Sequence, residues 1–238
     1  MGLKDDISNQ VSQIIQQSWD IRDGRIVPAN DDIALSGGGV RLPDATVLYV
    51  DLAQSSRLAT DFQQRTAAKV IRIFLSSMCR LITDNGGTIT SFDGDRVMGV
   101  FLGDSKNSDA AICALKMNYV ISKIVQPAVN NYFTSVREAG FSISHSVGID
   151  TSAILAVKAG LRGANDIVWV GRAPNLAAKL CELRENYNRS YISEDVFLKL
   201  NESAKYGGPQ KSLMWEKRSY GFLEENVTIY SSSWYWEP

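Results

Sequence analysis

Two carboxylates stand where the sequence pattern gives them chemistry to do. Asp51 closes the short apolar run TVLYVDL (46–52), and Asp95 follows the Asp93-Gly94 pair between TITSF and RVMGVFL. Taken singly, each aspartate reads as a turn or cap residue, and Asp93 fits that role as part of a hairpin turn. On adjacent central strands of one sheet, however, the two carboxylates meet at one end. They then form a hard oxygen pair suited to Mg²⁺ or Mn²⁺ that also binds substrate phosphates. Behind Asp51 comes LAQSSR, a small polar loop opening a helix. Free N–H groups at Ser55 and Ser56 could hold phosphate oxygens there. Any strand-to-helix turn offers such groups, so this signal gains force only beside the carboxylates.

These residues need a scaffold of alternating strands and helices. A buried strand from Thr46 leads into a helix at about 57–83, which Asn85-Gly86-Gly87 ends by allowing a left-handed cap. The hairpin TITSF/RVMGVFL comes next. A second long helix spans about 108–136, with a kink expected near Pro127. Two strands follow, FSISHSVGID and ILAVKAG, then a short one at DIVWV. A helix from Ala173 to Glu185 precedes short elements that end in the strand VTIYSSSWYW. The order β-α-β-β-α-β predicts an α+β fold with a ferredoxin-like core, C-terminal additions and an N-terminal helical arm. The arm is residues 1–42. Leu3, Ile7, Val11, Ile14 and Ile15 recur at helical spacing over 3–18, and a breaker-rich stretch through Pro28 and Gly37-Gly38-Gly39 follows. Residues 43–238 form the expected catalytic domain, with the arm packed on it or on a partner subunit.

Composition narrows the chemistry. A net charge of −1 speaks against a dedicated nucleic-acid binder. The lone His145 leaves nothing from which to build a histidine zinc site or a Ser-His-Asp triad. Cys79, Cys113 and Cys181 lack paired spacing and read as core residues. No apolar window approaches a membrane span, and the N-terminus carries no signal-peptide run, so a cytoplasmic protein is expected.

Three segments resemble class III nucleotide cyclases. VLYVDLAQSSRLA is similar to that family's metal-binding strand, and GGTITSFDGDRVMGVF to the hairpin with its second metal aspartate. SVGIDTSAILAVKAG with DIVWVGRAPNLAAKL resembles the part that carries the transition-state residues. The resemblance implies two divalent ions, Mn²⁺ or Mg²⁺, held by Asp51, Leu52 and Asp95. One would lower the pKa of the ribose 3′-hydroxyl while the other binds the β- and γ-phosphates. It also implies Asn175 as the ribose-orienting residue. Lys179 stands where the family has arginine, keeping the charge and losing the planar fork. For both residues a plain polar helix face is the competing reading. The family places the two half-sites on different subunits, which implies a homodimer with interfacial sites. A phosphate-binding lysine near the C-terminus has no clean counterpart; Lys217 and Arg218 are the candidates.

The pattern breaks at the base-reading positions. Ser91 and Val168 occupy the places of both purine readers, and Tyr49 replaces a common phenylalanine. A larger wall without purine contacts suits a pyrimidine, and in this the chain resembles the bacterial Pycsar antiphage pyrimidine cyclases; that resemblance implies UTP as substrate and cyclic UMP for a downstream effector in antiphage defence. Hydroxyls both donate and accept, so CTP remains an alternative. A purine cyclase with an unusual pocket, or a catalytically silent dimerising or nucleotide-sensing module, are the others.

Overall fold

The structure is a computed structural model describing residues 2–184 and 189–238. In chain order the arm gives helix α1 (Leu3–Gln16) and strand β1 (Asp20–Asp23), and the core opens with β2 (Gly38–Ala53), α2 (Ser55–Asp61) and α3 (Gln64–Asp84). The hairpin β3 (Thr88–Asp93) and β4 (Arg96–Phe101) follows, then α4 (Lys106–Tyr119), a π-helical stretch Val120–Val125, α5 (Gln126–Tyr132) and α6 (Thr134–Glu138). Next come β5 (Ser144–Leu161), β6 (Ala164–Gly171) and α7 (Arg172–Cys181). The chain closes with β7 (Ser190–Ser193), α8 (Glu194–Leu198), α9 (Glu202–Lys205), β8 (Tyr206–Gly207), β9 (Ser212–Leu213), β10 (Glu216–Phe222) and β11 (Glu225–Ser232).

The central strands lie in the order β5-β2-β4-β3, antiparallel throughout, as a ferredoxin-like βαββαβ core requires. The C-terminal additions extend the sheet beyond β5 through β7, β11 and β10, with β7 parallel to β5. Alternation along β2 sorts the two faces. Leu48, Val50 and Leu52 pack with Val70, Phe74 and Met78 of α3 and with Leu115 of α4. The other face carries Val47 and Tyr49, packed with Met98, Trp169 and the α7 residues Ala173 and Ala177.

Helix α7 lies unusually close to the sheet because β5 has glycine at 148. A Cβ there would come within 2.0 Å of the Ala177 carbonyl oxygen and 2.5 Å of the Cys181 nitrogen. Both are backbone atoms that cannot swing away. We expect Gly148→Ala to displace α7 and to lower stability by about 2 kcal/mol, the scale of an overpacked core. Thermal unfolding would check this, and an unchanged midpoint would show that α7 floats freely over β5.

Several expected boundaries move. The helix expected over 57–83 is two helices, broken at Phe62 and Gln63. Apolar spacing runs through this break, so periodicity alone does not register it. The second long helix breaks into α4, α5 and α6 around the π-helical stretch, with Pro127 in the first turn of α5, where a missing N–H costs little. FSISHSVGID and ILAVKAG are one strand, β5. The polar Thr151-Ser152 between them stays in the sheet because Thr151 Oγ1 donates to the Ala45 carbonyl (3.1 Å) and accepts from Thr46 Oγ1 (3.2 Å). Helix α7 stops at Cys181, short of the expected end at Glu185, which lies outside the described residues. The terminal strand stops at Ser232.

In the arm, α1 buries no residue, and its apolar row faces outward, with Leu3 and Ile15 each 77% exposed. Strand β1 pairs parallel with β2, which runs unbroken through the expected arm boundary at 42/43 and buries Val40 and Leu42. Among the described residues, no helix is long and apolar enough to cross a membrane.

Candidate active site

Strand register assembles the site. Asp51 pairs with Arg96 on β4, the residue after Asp95, so both aspartates occupy one end of the sheet. Asp93 pairs with Arg96 across the hairpin, which leaves Gly94 and Asp95 as the two-residue loop. Gly94 has φ +61°, the left-handed conformation such tight loops use. Burial and the neighbouring Asp95 carboxylate push the pKa of Asp51 up, against the pull of Arg184 and Arg96. Asp95 Oδ2 is buried without a hydrogen-bond partner. A partly buried carboxylate crowded by a second one, whose own Oδ2 is orphaned, is the electrostatic profile that a hard cation satisfies.

Among the described residues, no group of three or more His, Cys, Asp or Glu side chains could hold a metal. Two carboxylates alone suit ions that take their remaining ligands from water and substrate phosphates. The Leu52 side chain is buried among the helices, so only its main-chain carbonyl is available to such an ion.

Tyr49 lies two residues before Asp51 on the same face. It pairs with Met98, and Met98 pairs with Ser91, so Tyr49, Met98 and Ser91 form one row across three strands. Directly opposite residues in antiparallel strands project to the same side. Tyr49 and Ser91 therefore flank the buried Met98. The Arg96 guanidinium sits over the Tyr49 ring, 5.5 Å from its centroid, and hydrogen-bonds Asp93 at 2.6 Å. This cation–π contact fixes the ring plane beside the carboxylates. Ser55 and Ser56 begin α2 directly behind this end of β2, after Gln54 turns the chain with φ 61°.

Helix α7 buries Ala173, Leu176, Ala177 and Leu180 and leaves Asn175 and Lys179 exposed one turn apart. Lys179 is tied toward the carboxylate corner: its ammonium pairs with Glu182 at 3.1 Å, and Glu182 lies 3.9 Å from Arg96. Asn175 instead donates to the Gly171 carbonyl at 3.1 Å. Val168 is not brought into this group. It pairs with Val157 on β5, while Tyr49 pairs with Gly148. From Gly148 to Val157 the strand runs roughly 30 Å, so within one chain Val168 is remote from Tyr49. Lys217 and Arg218 lie on β10 at the far edge of the sheet, near Glu194 (3.6 Å) and Glu216 (3.1 Å) respectively.

Three residues of this corner escape a sequence reading. Arg184, beyond the end of α7, bonds the Asp51 carboxylate. Arg96 and Glu182 complete the ionic chain to Lys179. Arg96 carried one signal, its position next to Asp95 in the hairpin. The buried thiols of Cys113 and Cys181 have pKa values pushed up by desolvation, in keeping with core roles. His145 is also buried, and desolvation with nearby Arg189 and Arg184 brings its pKa down to about 3, so the imidazole is neutral.

Comparison with known proteins bears on the family and the fold. No family model matches the chain. A uridylate cyclase of Rhodovulum sp. (strain MB263) is 43% identical over all 238 residues, covering 100% of this chain and 99% of the relative. Uridylate cyclases of Xanthomonas perforans and Burkholderia cepacia are each 38% identical over 99% of both chains. Among solved structures, the guanylyl cyclase Cya2 superimposes with a TM-score of 0.66 at 19% identity, over 84% of this chain and 96% of that one. The adenylyl cyclase CyaB from P. aeruginosa gives 0.58 at 20% identity over 81% and 94%. Full-length identity and a shared fold lead to one conclusion: the chain belongs to the uridylate cyclase family and is a nucleotide cyclase with the class III catalytic fold.

Proposed function

We propose that this cyclase converts UTP to 3′,5′-cyclic UMP and pyrophosphate, at sites shared between two copies of the chain. The observation that carries the base assignment is the row Tyr49–Met98–Ser91 beside Asp51. It offers a bulky phenol and one short hydroxyl where a purine reader would need longer polar groups. The names of the full-length relatives support the same base. Held by Asp51 and Asp95, with the Leu52 carbonyl alongside, two Mg²⁺ or Mn²⁺ ions would supply the Lewis acidity that ionises the ribose 3′-hydroxyl and offsets triphosphate charge. Asn175 orients the ribose. Lys179, released from Glu182, brings positive charge to the phosphorus as pyrophosphate leaves. Free N–H groups at the start of α2 hold phosphate oxygens. We place the cyclic product as a second messenger in antiphage defence, read by a downstream cyclic-nucleotide effector; this rests on the resemblance to the Pycsar enzymes. Purified protein with Mn²⁺ and UTP should yield pyrophosphate and a product with the mass of the cyclic monophosphate. Linear UMP, or no turnover, would refute the assignment.

The shared site has its own test. Asn175 and Val168 face outward, and Val168 meets a Tyr49–Ser91 wall only if a second copy supplies it. Mixing inactive Asp51→Asn with inactive Asn175→Ala protomers should therefore restore activity through one intact site per heterodimer. Failure to recover any activity, once subunit exchange is demonstrated, would place the whole site within one chain. Lys179, tied to its own carboxylate corner through Glu182 and Arg96, makes that outcome a real alternative.

A further inference from the structure

Helix α1 presents its polar side to its own chain. Gln10, Gln13 and Gln17 line a cleft against the tip of the β5–β6 hairpin, and of the apolar row only Ile14 reaches it. Leu3, Ile7, Val11 and Ile15 stay in solvent, between 49% and 77% exposed. A helix of 14 residues that buries none of them is marginal in water, so its apolar face calls for another surface. A bilayer is a poor match. Helices that lie on membranes carry Lys and Arg on the polar face, whereas α1 has Lys4 against Asp5 and Asp6. Asp5 is engaged at the helix start, accepting from the Gly2 N–H at 3.3 Å. Asp6 is left at the edge of the row, three residues from Leu3.

The chain carries a surface of the complementary kind. Between α3 and α5 lies a groove of about 790 Å³ lined by Ile73, Ser76, Val129, Tyr132 and Phe133. Nothing in the chain covers it, and Tyr132 is 73% exposed. Lys69 and Arg72 stand on its α3 wall, and among the described residues no Asp or Glu lines it. Arg65, four residues before Lys69, continues this exposed cationic row by a further turn. The Lys69 ammonium lies 5.6 Å from the Tyr132 ring centroid and 5.9 Å from that of Phe133. In a chain of net charge −1, these cations are a local excess that an acidic, apolar segment neutralises.

We propose that α1 of a second copy of this chain docks in the α3–α5 groove, with its apolar row on Ile73, Val129 and Tyr132 and Asp6 beside Lys69 and Arg72. This is helix-in-groove recognition, with anchors at Leu3, Ile7 and Val11. The lengths agree: Leu3 to Val11 and Lys69 to Ser77 each rise roughly 12 Å along their helices. The occupant comes from another copy because α1 sits at the hairpin tip of its own chain. Row and groove are different patches, so the contact is heterologous. None of its residues belongs to the carboxylate corner or α7, so it stands apart from the shared active site and from the base that site takes.

Cross-linking of two full-length variants tests the proposal. One carries Ile7→Cys and the other Ser76→Cys, both with Cys79→Ser so that the half-buried native thiol does not compete. Ile7 and Ser76 are both exposed, so neither introduced thiol disturbs the core. A short bis-maleimide should join residues 7 and 76 in the mixture, identified by peptide mass, in clear excess over either variant alone. Lys69→Glu with Arg72→Glu on the groove chain should cut that yield about fivefold or more, by turning attraction into repulsion. Asp6→Arg on the other chain should then restore it. A mixed product no more abundant than in the single-variant controls would overturn the proposal, as would a yield indifferent to the charge reversal. Preferential linkage of Ile7→Cys chains to one another would show α1 packed on α1 and overturn it equally.

Discussion

Asp51→Asn and Asp95→Asn should each reduce cyclisation by more than about 10³-fold while the fold survives. Each would remove an ionised ligand from the proposed two-aspartate metal site, and loss of a single electrostatic stabiliser of a developing charge already costs about 10²–10³. The stability side has a definite sign. The pKa of Asp51 is raised in the folded protein, first by burial and then by Asp95, so its ionised form is disfavoured there relative to the unfolded chain. Replacing that charge with a neutral amide relieves this penalty, although the contact with Arg184 is weakened. Thermal unfolding should therefore stay near the native midpoint. Near-normal turnover in either variant at ordinary Mn²⁺ concentration would mean that the carboxylate pair is structural.

The paired carboxylates were legible because each had a local signature: an aspartate closing an apolar strand, and another beside a Gly-containing hairpin loop. The βαββαβ order was legible from the same alternation. Register was not. That Ser91 stands beside Met98 and Met98 beside Tyr49 depends on a bulge between Ile89 and Ser91, which no spacing rule announces. The unbroken β5 was hidden because Thr151 looks like punctuation until its hydroxyl is seen bonded inside the sheet. Arg184 and Glu182 carry no local signature after α7; only tertiary packing turns them toward Asp51 and Arg96. Val168 shows the opposite limit. Its proposed base-reading place was readable by counting from Asn175, but within one chain it lies far from Tyr49, so its part in the site rests on the proposed second copy.

The base is where this chain departs most from purine cyclases. On the proposed assignment of Ser91 and Val168 to the two base-reading positions, a purine edge would leave its hydrogen-bonding groups unmet, and Tyr49 would add bulk where the larger base would lie. Together these should favour UTP over ATP at least about a hundredfold in kcat/KM, or roughly 2.7 kcal/mol. Tyr49→Ala should narrow the preference by opening the wall, with less effect on metal dependence, because the aspartates are untouched. The Arg96 contact adds a condition: with the ring gone, Arg96 keeps Asp93 and Glu182 as partners, so the hairpin should hold.

The most direct measurement is a competition of ATP, GTP, CTP and UTP for the purified enzyme with Mn²⁺, each cyclic product identified by mass. Cyclic UMP is expected as the dominant product, with cyclic AMP and cyclic GMP about a hundredfold lower or absent. Cyclic CMP in first place would keep the pyrimidine pocket and correct only the hydroxyl geometry that chooses between the two bases. ATP or GTP turnover equal to or above that of UTP would contradict the account.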